Sequence, residues 1–346
     1  IGQPQSAVLH AAAPITKINI ITQFNQLFLI FIFDFFSIVI DNFGLEDKFN
    51  NLKKYPTKVL ITPLDWGLGH ASRCIPIINS FLQGGSEVII AGNGRSLNLL
   101  KKEFPSLQFL NLPGYYIRYF SNNMFINILF QIPKILIAGI KENFAVKEIV
   151  KNHQIDLIIS DNRFGCFSKS VKSIFITHQI NIQISIKPIQ SFVNFFNKKV
   201  ILQFEECWIP DVESLPLAGI LSKAGNLKNA RYIGLLSRFS KLALDEKWDL
   251  VAVLSGPEPQ RSILEKEIIS QVLPLKLNTI IIQGKTEKKT HKSLSEHVKL
   301  ISYATSSELN EVLSAAKLII CRSGYSSLMD LAKIQKNAIL IPTPGQ

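Results

Sequence analysis

Lys58-Val59-Leu60-Ile61-Thr62-Pro63-Leu64-Asp65-Trp66-Gly67-Leu68-Gly69-His70-Ala71-Ser72 is an apolar, β-branched run, then a glycine-bearing turn, then the opening of a helix. The run 58–62 predicts a short buried strand and 72–82 a helix. Gly84 and Gly85 stop that helix, and 87–91 predicts the next strand. A strand, a helix and a second strand in this order make a parallel pair. Further short apolar runs at 108–110, 156–160, 173–177 and 206–209 extend the series. A second series starts at 250–254 and continues through 279–282, 298–302, 318–321 and 338–341. Strands of this kind, spaced by helical stretches, belong to sheets covered on both faces. The fold class expected is α/β, with two Rossmann-like domains facing across a cleft.

The chain divides on this reading into an apolar segment and linker over 1–57, a first domain over 58–215, a linker over 216–240 and a second domain over 241–346. Residues 18–40 are apolar and Phe-rich, interrupted by Asn25, Gln26 and Asp34. Three readings stand for that segment: upstream sequence foreign to the fold, a membrane anchor, or a packed helix. The chain starts at Ile1, its first methionine is Met124, and it stops just past the run 338–341. It is therefore expected to be a fragment whose second domain is incomplete.

A chain of 346 residues, 47% apolar and 18% charged, is long enough for two globular cores. Its net charge of +12 fits nucleic acid, an anionic membrane surface or a polyphosphate ligand. No zinc-knuckle, helix-turn-helix or RNP-like pattern favours nucleic acid, which is set aside as a partner. Cys74, Cys166, Cys207 and Cys321 are scattered without a C-x-x-C pair, which points to a reducing cytosol and buried thiols.

In open parallel sheets, ligands bind beyond the carboxyl ends of the strands. After the first strand, Gly67 and Gly69 allow close backbone approach, and the helix start offers N–H groups to an anion. The stretch fails as a dinucleotide fingerprint, because Ser72 replaces the third glycine and 91–94 brings no ribose-binding acid. His70 beside this loop reads as a base facing the cleft or as a helix cap. Asp161 and Arg163 follow the strand at 156–160, and His178 follows 173–177. These suit an acceptor's hydroxyls, while Asp161 also reads as an N-cap and His178 as a buried hydrogen-bonded ring. Ser255 and Gly256 open a helix in the second half and suit a diphosphate. The most informative stretch is 316–330. There a strand runs into Arg322-Ser323-Gly324, a helix opens with Ser326 and Ser327, and Asp330 lies within that helix. Hydroxyls and N–H groups would hold phosphate oxygens, and Asp330 both hydroxyls of a ribose.

Taken together, Gly67-Leu68-Gly69-His70, Ser255-Gly256-Pro257 and Cys321-Arg322-Ser323-Gly324 with Asp330 resemble the GT-B glycosyltransferases of family 28. The resemblance spans about 58–346. It implies an acceptor domain followed by a domain that binds a UDP-sugar. By that resemblance Ser255 and Gly256 face the diphosphate, and Tyr303 follows a strand that edges the uracil. Arg322, Ser323, Gly324 and Ser326 approach the donor, and Asp330 takes the ribose. His70, Gly67, Gly69, Arg163 and His178 line the acceptor side. The loop at 65–69 has less glycine than the family usually shows, so the acceptor is expected to differ from a lipid-linked muropeptide.

No Asp-x-Asp occurs, so neither a metal nor another cofactor is expected beside the UDP-sugar co-substrate. The expected reaction is an inverting single displacement, with His70 first and Asp161 second as base. The acceptor is expected to be a glycan or glycolipid. Residues 115–120 and 124–140 read either as a membrane-touching surface or as a buried helix. A cytoplasmic location, at the inner face of the plasma membrane, goes with this reading. The rivals are an epimerase or hydrolase on the same nucleotide-sugar, a non-catalytic binding fragment and, last, a nicotinamide dehydrogenase.

Overall fold

The computed structural model describes residues 31–33, 56–115, 124–184, 186–256, 258–285 and 290–343, and in them the alternation becomes two sheets. A short strand, β1 (Phe31–Phe33), comes first in the chain. The first half then runs β2 (Lys58–Pro63), α1 (Leu68–Gln83), β3 (Glu87–Gly92), α2 (Gly94–Glu103), β4 (Gln108–Asn111) and α3 (Met124–His153). It continues with β5 (Leu157–Asp161), β6 (Lys172–Ile176), α4 (Lys187–Ile201), β7 (Glu206–Ile209) and β8 (Ala230–Tyr232). The second half runs β9 (Trp248–Val253), α5 (Gln260–Val272), β10 (Thr279–Ile282), β11 (His291–Ser293) and β12 (Val298–Ile301). It ends with α6 (Ser306–Ser314), β13 (Ala316–Arg322), α7 (Tyr325–Ile334) and β14 (Ala338–Ile341).

The first sheet has the order β4-β3-β2-β5-β6-β7-β8, with every neighbouring pair parallel. The second has the order β1-β14-β13-β9-β10-β12-β11. Its interior pairs are parallel, and the edge strands β1 and β11 are antiparallel to β14 and β12. Strands β2, β5, β10 and β14 are buried along nearly their whole length, as a sheet sandwiched between helices demands. In each sheet the strand order reverses beside the first parallel strand. The reversal lies between β2 and β5 in one sheet and between β9 and β13 in the other, and at such points the crossovers part and leave a crevice.

Helix α7 joins the two halves. Met329 is buried in the core cluster formed by α1 and the first sheet, while Leu331, Ala332 and Ile334 belong to the core of the second. Some elements differ from the expectations. Helix α1 starts at Leu68, four residues early, because Gly67 at φ 96° completes the turn on its own. Strand β8 lies within the range read as a linker, and β1 within the segment read as outside the fold. Both are short, so neither leaves a periodicity to detect. Of 18–40, only β1 lies within the described residues, and 116–123, Pro257 and 344–346 lie outside them. Among the described residues no helix is long and apolar enough to cross a membrane.

Candidate functional site

The two strand-order reversals face one another across a cavity of about 830 Å³. That is a normal size for a small-molecule site. On the first side, the loop after β2 contributes Trp66 and Gly67, and α1 contributes Gly69, His70 and Arg73. On the second side stand Ser255 and Gly256 after β9 and Arg322 at the end of β13, with the start of α7 beside them.

The first wall is organised by Arg73, which the sequence reading did not single out. It is 2% exposed, although it is an arginine. Its Nε donates to both oxygens of Asp161 at 2.9 and 2.8 Å, and its Nη2 also donates to Oδ1. Nη1 lies 3.2 Å from Nδ1 of His178, and Nη2 lies 2.7 Å from Nδ1 of His70. His70 Nδ1 is in turn 3.3 Å from Asp161 Oδ2. Two histidines, one carboxylate and one guanidinium therefore form a single buried cluster. His70 and Arg73 meet because residues three apart share a helix face.

This geometry corrects two expectations. Asp161 is fully buried, does not line the cavity, and is clamped by Arg73. Burial would raise its pKa, but Arg73 first and then His70 hold it at about 2. A carboxylate so weakly basic, without access to the cavity, is neither the second candidate base nor an N-cap. It is a partner to the ring of His70. The His70 ring does not cap its helix either, since Gly67 occupies the N-cap position. Burial, and after it Arg73, lowers the His70 pKa below 6.5 against the opposing pull of Asp161. His70 is thus neutral near pH 7.

Two further acceptor-side residues take other roles. Arg163 is fully buried and is not part of the cavity wall. Its Nε donates to Glu142 Oε1 at 2.7 Å and its Nη1 to Asn93 Oδ1 at 2.9 Å, with further bonds to carbonyls of Pro63 and Pro113. Glu142 also accepts from Tyr115 Oη at 2.6 Å and from the backbone of Gly165. Arg163 is an internal strut between α3 and the sheet. His178 stands at the inner end of the cavity, with its ring stacked on Tyr325 at 4.1 Å. Burial, then Arg73, depresses its pKa to about 3. This is the buried hydrogen-bonded ring that the sequence left as an alternative.

Gly69 serves the junction of the domains as well as the cavity. A Cβ there would come 2.7 Å from Ser326 Oγ, which donates to the Gly69 carbonyl at 3.1 Å. The neighbouring Tyr325 Oη donates to the carbonyl of Pro210 at 2.6 Å. The start of α7 is thereby pinned to the first domain.

On the second wall, Arg322 is 4% exposed, and among the described residues no carboxylate pairs with it. Its Nη1 and Nη2 donate to the carbonyls of Pro342 at 2.7 Å and Gln260 at 3.1 Å, while buried Nε has no partner. Burial lowers its pKa. A buried cation bonded only to neutral carbonyls, beside a cavity, suits an anion by its electrostatics. Ser255 and Gly256 are exposed on the same wall. Asp330 lines it too, accepting from Ser237 Oγ at 2.6 Å, and burial raises its pKa to about 6. Tyr303 and Gly324 are also in the wall, the Tyr303 ring under Lys102 Nζ at 4.1 Å. Ser323 is not. Its backbone N–H bonds to the Ile341 carbonyl, and Ser327 takes a place in the wall instead.

Residues 250–346 match the glycosyltransferase family 28 C-terminal domain. The fold is the GT-B arrangement of two Rossmann-like domains, and the match to that family lies in the second of them. Among solved structures, it resembles the glycotransferase of kitacinnamycin with a TM-score of 0.53 at 12% identity, covering 84% of this chain and 83% of that one. Arabidopsis thaliana UGT89C1, solved with quercetin, gives 0.51 at 13% identity, covering 81% and 77%. The spinosyn rhamnosyltransferase SpnG, solved with thymidine diphosphate, gives 0.50 at 13% identity, covering 79% and 77%. At such identities the likeness of this chain to them is one of fold. No curated protein matches the sequence.

Proposed function

We propose that this chain is a glycosyltransferase that moves a hexose or N-acetylhexosamine from a UDP-sugar to a hydroxyl of a glycan or glycolipid, with inversion and without a metal ion. The observation that carries this reading is the buried Arg322, paired with no carboxylate among the described residues, lining one cavity with His70. Arg322, Ser255, the backbone at Gly256 and the N-terminus of α7 take the diphosphate, and Asp330 takes the ribose hydroxyls. The acceptor oxygen attacks the anomeric carbon as the bond to the diphosphate breaks, and the electron pair leaves on the phosphate oxygen. The acceptor's proton passes to His70, and Asp161 stabilises the imidazolium that results. Arg322 and the helix N-terminus stabilise the departing charge.

Calorimetry tests the donor half of this scheme. UDP is expected to bind in EDTA, with thymidine diphosphate as the comparison nucleotide because SpnG was solved with it. Asp330→Ala is expected to weaken UDP by roughly 1–3 kcal/mol. Because the Asp330 pKa is raised to about 6, wild-type affinity should strengthen as pH rises from 5 to 7, where the carboxylate forms, and Asp330→Ala should lose that slope. Strict dependence on a divalent metal would rule out the metal-free scheme.

The acceptor half includes contact with an anionic lipid surface at the cytoplasmic face. Helix α4 exposes Phe192 (61%), Phe195 (54%) and Phe196 (49%) on one side, with Lys187, Lys198 and Lys199 on the same helix. Helix α3 exposes Leu136, Ile137, Ile140 and Phe144. No Asp or Glu occurs from 162 to 204. Aromatic side chains among lysines suit an interfacial helix. Vesicles containing anionic phospholipid should co-sediment with the protein at low salt, and a Phe192→Ser, Phe195→Ser, Phe196→Ser variant should stay in the supernatant. Equal behaviour of the two proteins would remove this contact.

A further inference from the structure

The catalytic scheme uses His70 and Asp161, yet the residue that contacts both is Arg73. Its Nε and Nη2 bond Asp161, and its Nη1 reaches His178, so its donors are engaged by the protein and not by a ligand. We propose that Arg73 is the positioning residue of the His70–Asp161 pair: it anchors the carboxylate behind the ring and, with its charge against Nδ1, keeps the ring neutral until the acceptor supplies a second proton. This inference rests on the transfer reading above.

The physical reasoning concerns charge in a dry wall. Asp161 alone behind His70 would favour a protonated ring, because an anion about 3 Å away stabilises an imidazolium. With Arg73 in place the cluster holds one cation, one anion and two neutral rings. A further proton would leave it with a net positive charge among groups that are almost wholly buried. The other groups facing the cluster do not offset this. Asp65 on the loop after β2 attracts a proton to His70, but it ranks behind Arg73 and Asp161. His178 after β6 is neutral, Cys74 on α1 holds its proton firmly, and Tyr325 on α7 is bonded to Pro210. Among the described residues Nε2 of His70 has no hydrogen-bond partner, and it is the ring nitrogen left for the acceptor. As placed, Nδ1 accepts from Arg73 Nη2 at 2.7 Å; opening Nε2 to the acceptor's proton needs the other tautomer, whose Nδ1–H turns to Asp161, and Arg73 holds both oxygens of that carboxylate ready for it.

Two variants, Arg73→Gln and Arg73→Lys, test this by two readouts. The first is NMR titration of the His70 ring in the whole chain, assigned by the signal lost in His70→Ala. In Arg73→Gln the ring is expected to titrate at higher pH than in wild type, and Arg73→Lys should move it back. The second is the pH profile of kcat/KM. Arg73→Gln is expected to lose roughly tenfold between pH 8 and pH 6, where wild type stays nearly flat. A variant that only loses thermal stability and rate, with an unmoved His70 titration, overturns the proposal. If Arg73→Gln does not fold, a wild-type ring titrating at or above the ordinary 6.5 overturns it equally. The titration needs no turnover. A shifted ring in a protein that transfers no sugar would therefore sink the transfer reading and leave the role of Arg73 standing.

Discussion

His70→Ala is expected to slow sugar transfer by about 10²–10⁴-fold while leaving UDP affinity nearly unchanged, because general-base catalysis contributes on that scale. The separation of the two effects follows from position. His70 stands on the wall built by the first sheet, and the candidate diphosphate and ribose groups stand on the other. Stability should change little by comparison, since the ring is not the cap of α1 and its loss leaves the Arg73–Asp161 pair intact. Turnover, calorimetry and melting of the same variant distinguish the possibilities. Near-normal turnover would make His70 structural. It would also leave the scheme without a base, because Asp161, held at a pKa of about 2 and away from the cavity, cannot take the role. A parallel loss of UDP affinity would mean that the ring reaches the donor.

Glu142→Ala should have the largest effect on folding. The Glu142 and Arg163 side chains are both fully buried, and the carboxylate is also bonded by Tyr115 and Gly165. Burial pushes the Glu142 carboxyl upward in pKa against the pull of Arg163, which is what removing a charge from water costs. Taking away one partner leaves the Arg163 guanidinium buried without a counter-ion, and such losses run to about 3–5 kcal/mol. For a domain of this size the melting transition should fall by roughly 10 °C. Protein that remains folded should bind UDP as wild type does, since neither residue reaches the cavity. A normally melting variant with impaired acceptor use would restore Arg163 to the acceptor site, where the sequence reading had placed it.

Much of the fold was legible in the chain because local chemistry determines it. Buried parallel strands must be short, apolar and β-branched, and such runs stand out at 58–62, 206–209, 279–282 and 338–341, where the structure has strands. The loops that matter were legible for a related reason. In a parallel sheet every carboxyl end points to one rim, so His70, Ser255, Gly256 and Arg322 could be picked by their distance from a strand. Short edge strands such as β1 and β8, and helices whose faces carry no regular stripe, leave no comparable period.

What only the tertiary structure decided is which rim residues meet, and what they meet. Asp161 and Arg163 lie two positions apart at the end of the same strand, yet one turns to α1 and Arg73 while the other turns to α3 and Glu142. Nothing in their spacing separates a partner of the candidate base from an internal strut. That difference depends on helices far away in sequence. Arg73 was hidden for the same reason. Within α1 it is an arginine one turn beyond a histidine, and its importance comes from two strands that bring Asp161 and His178 to it. Composition and periodicity settle where chain can be buried. The pairing of buried charges is settled by packing, because a charge taken out of water must be answered by whichever opposite group or dipole the fold delivers to it.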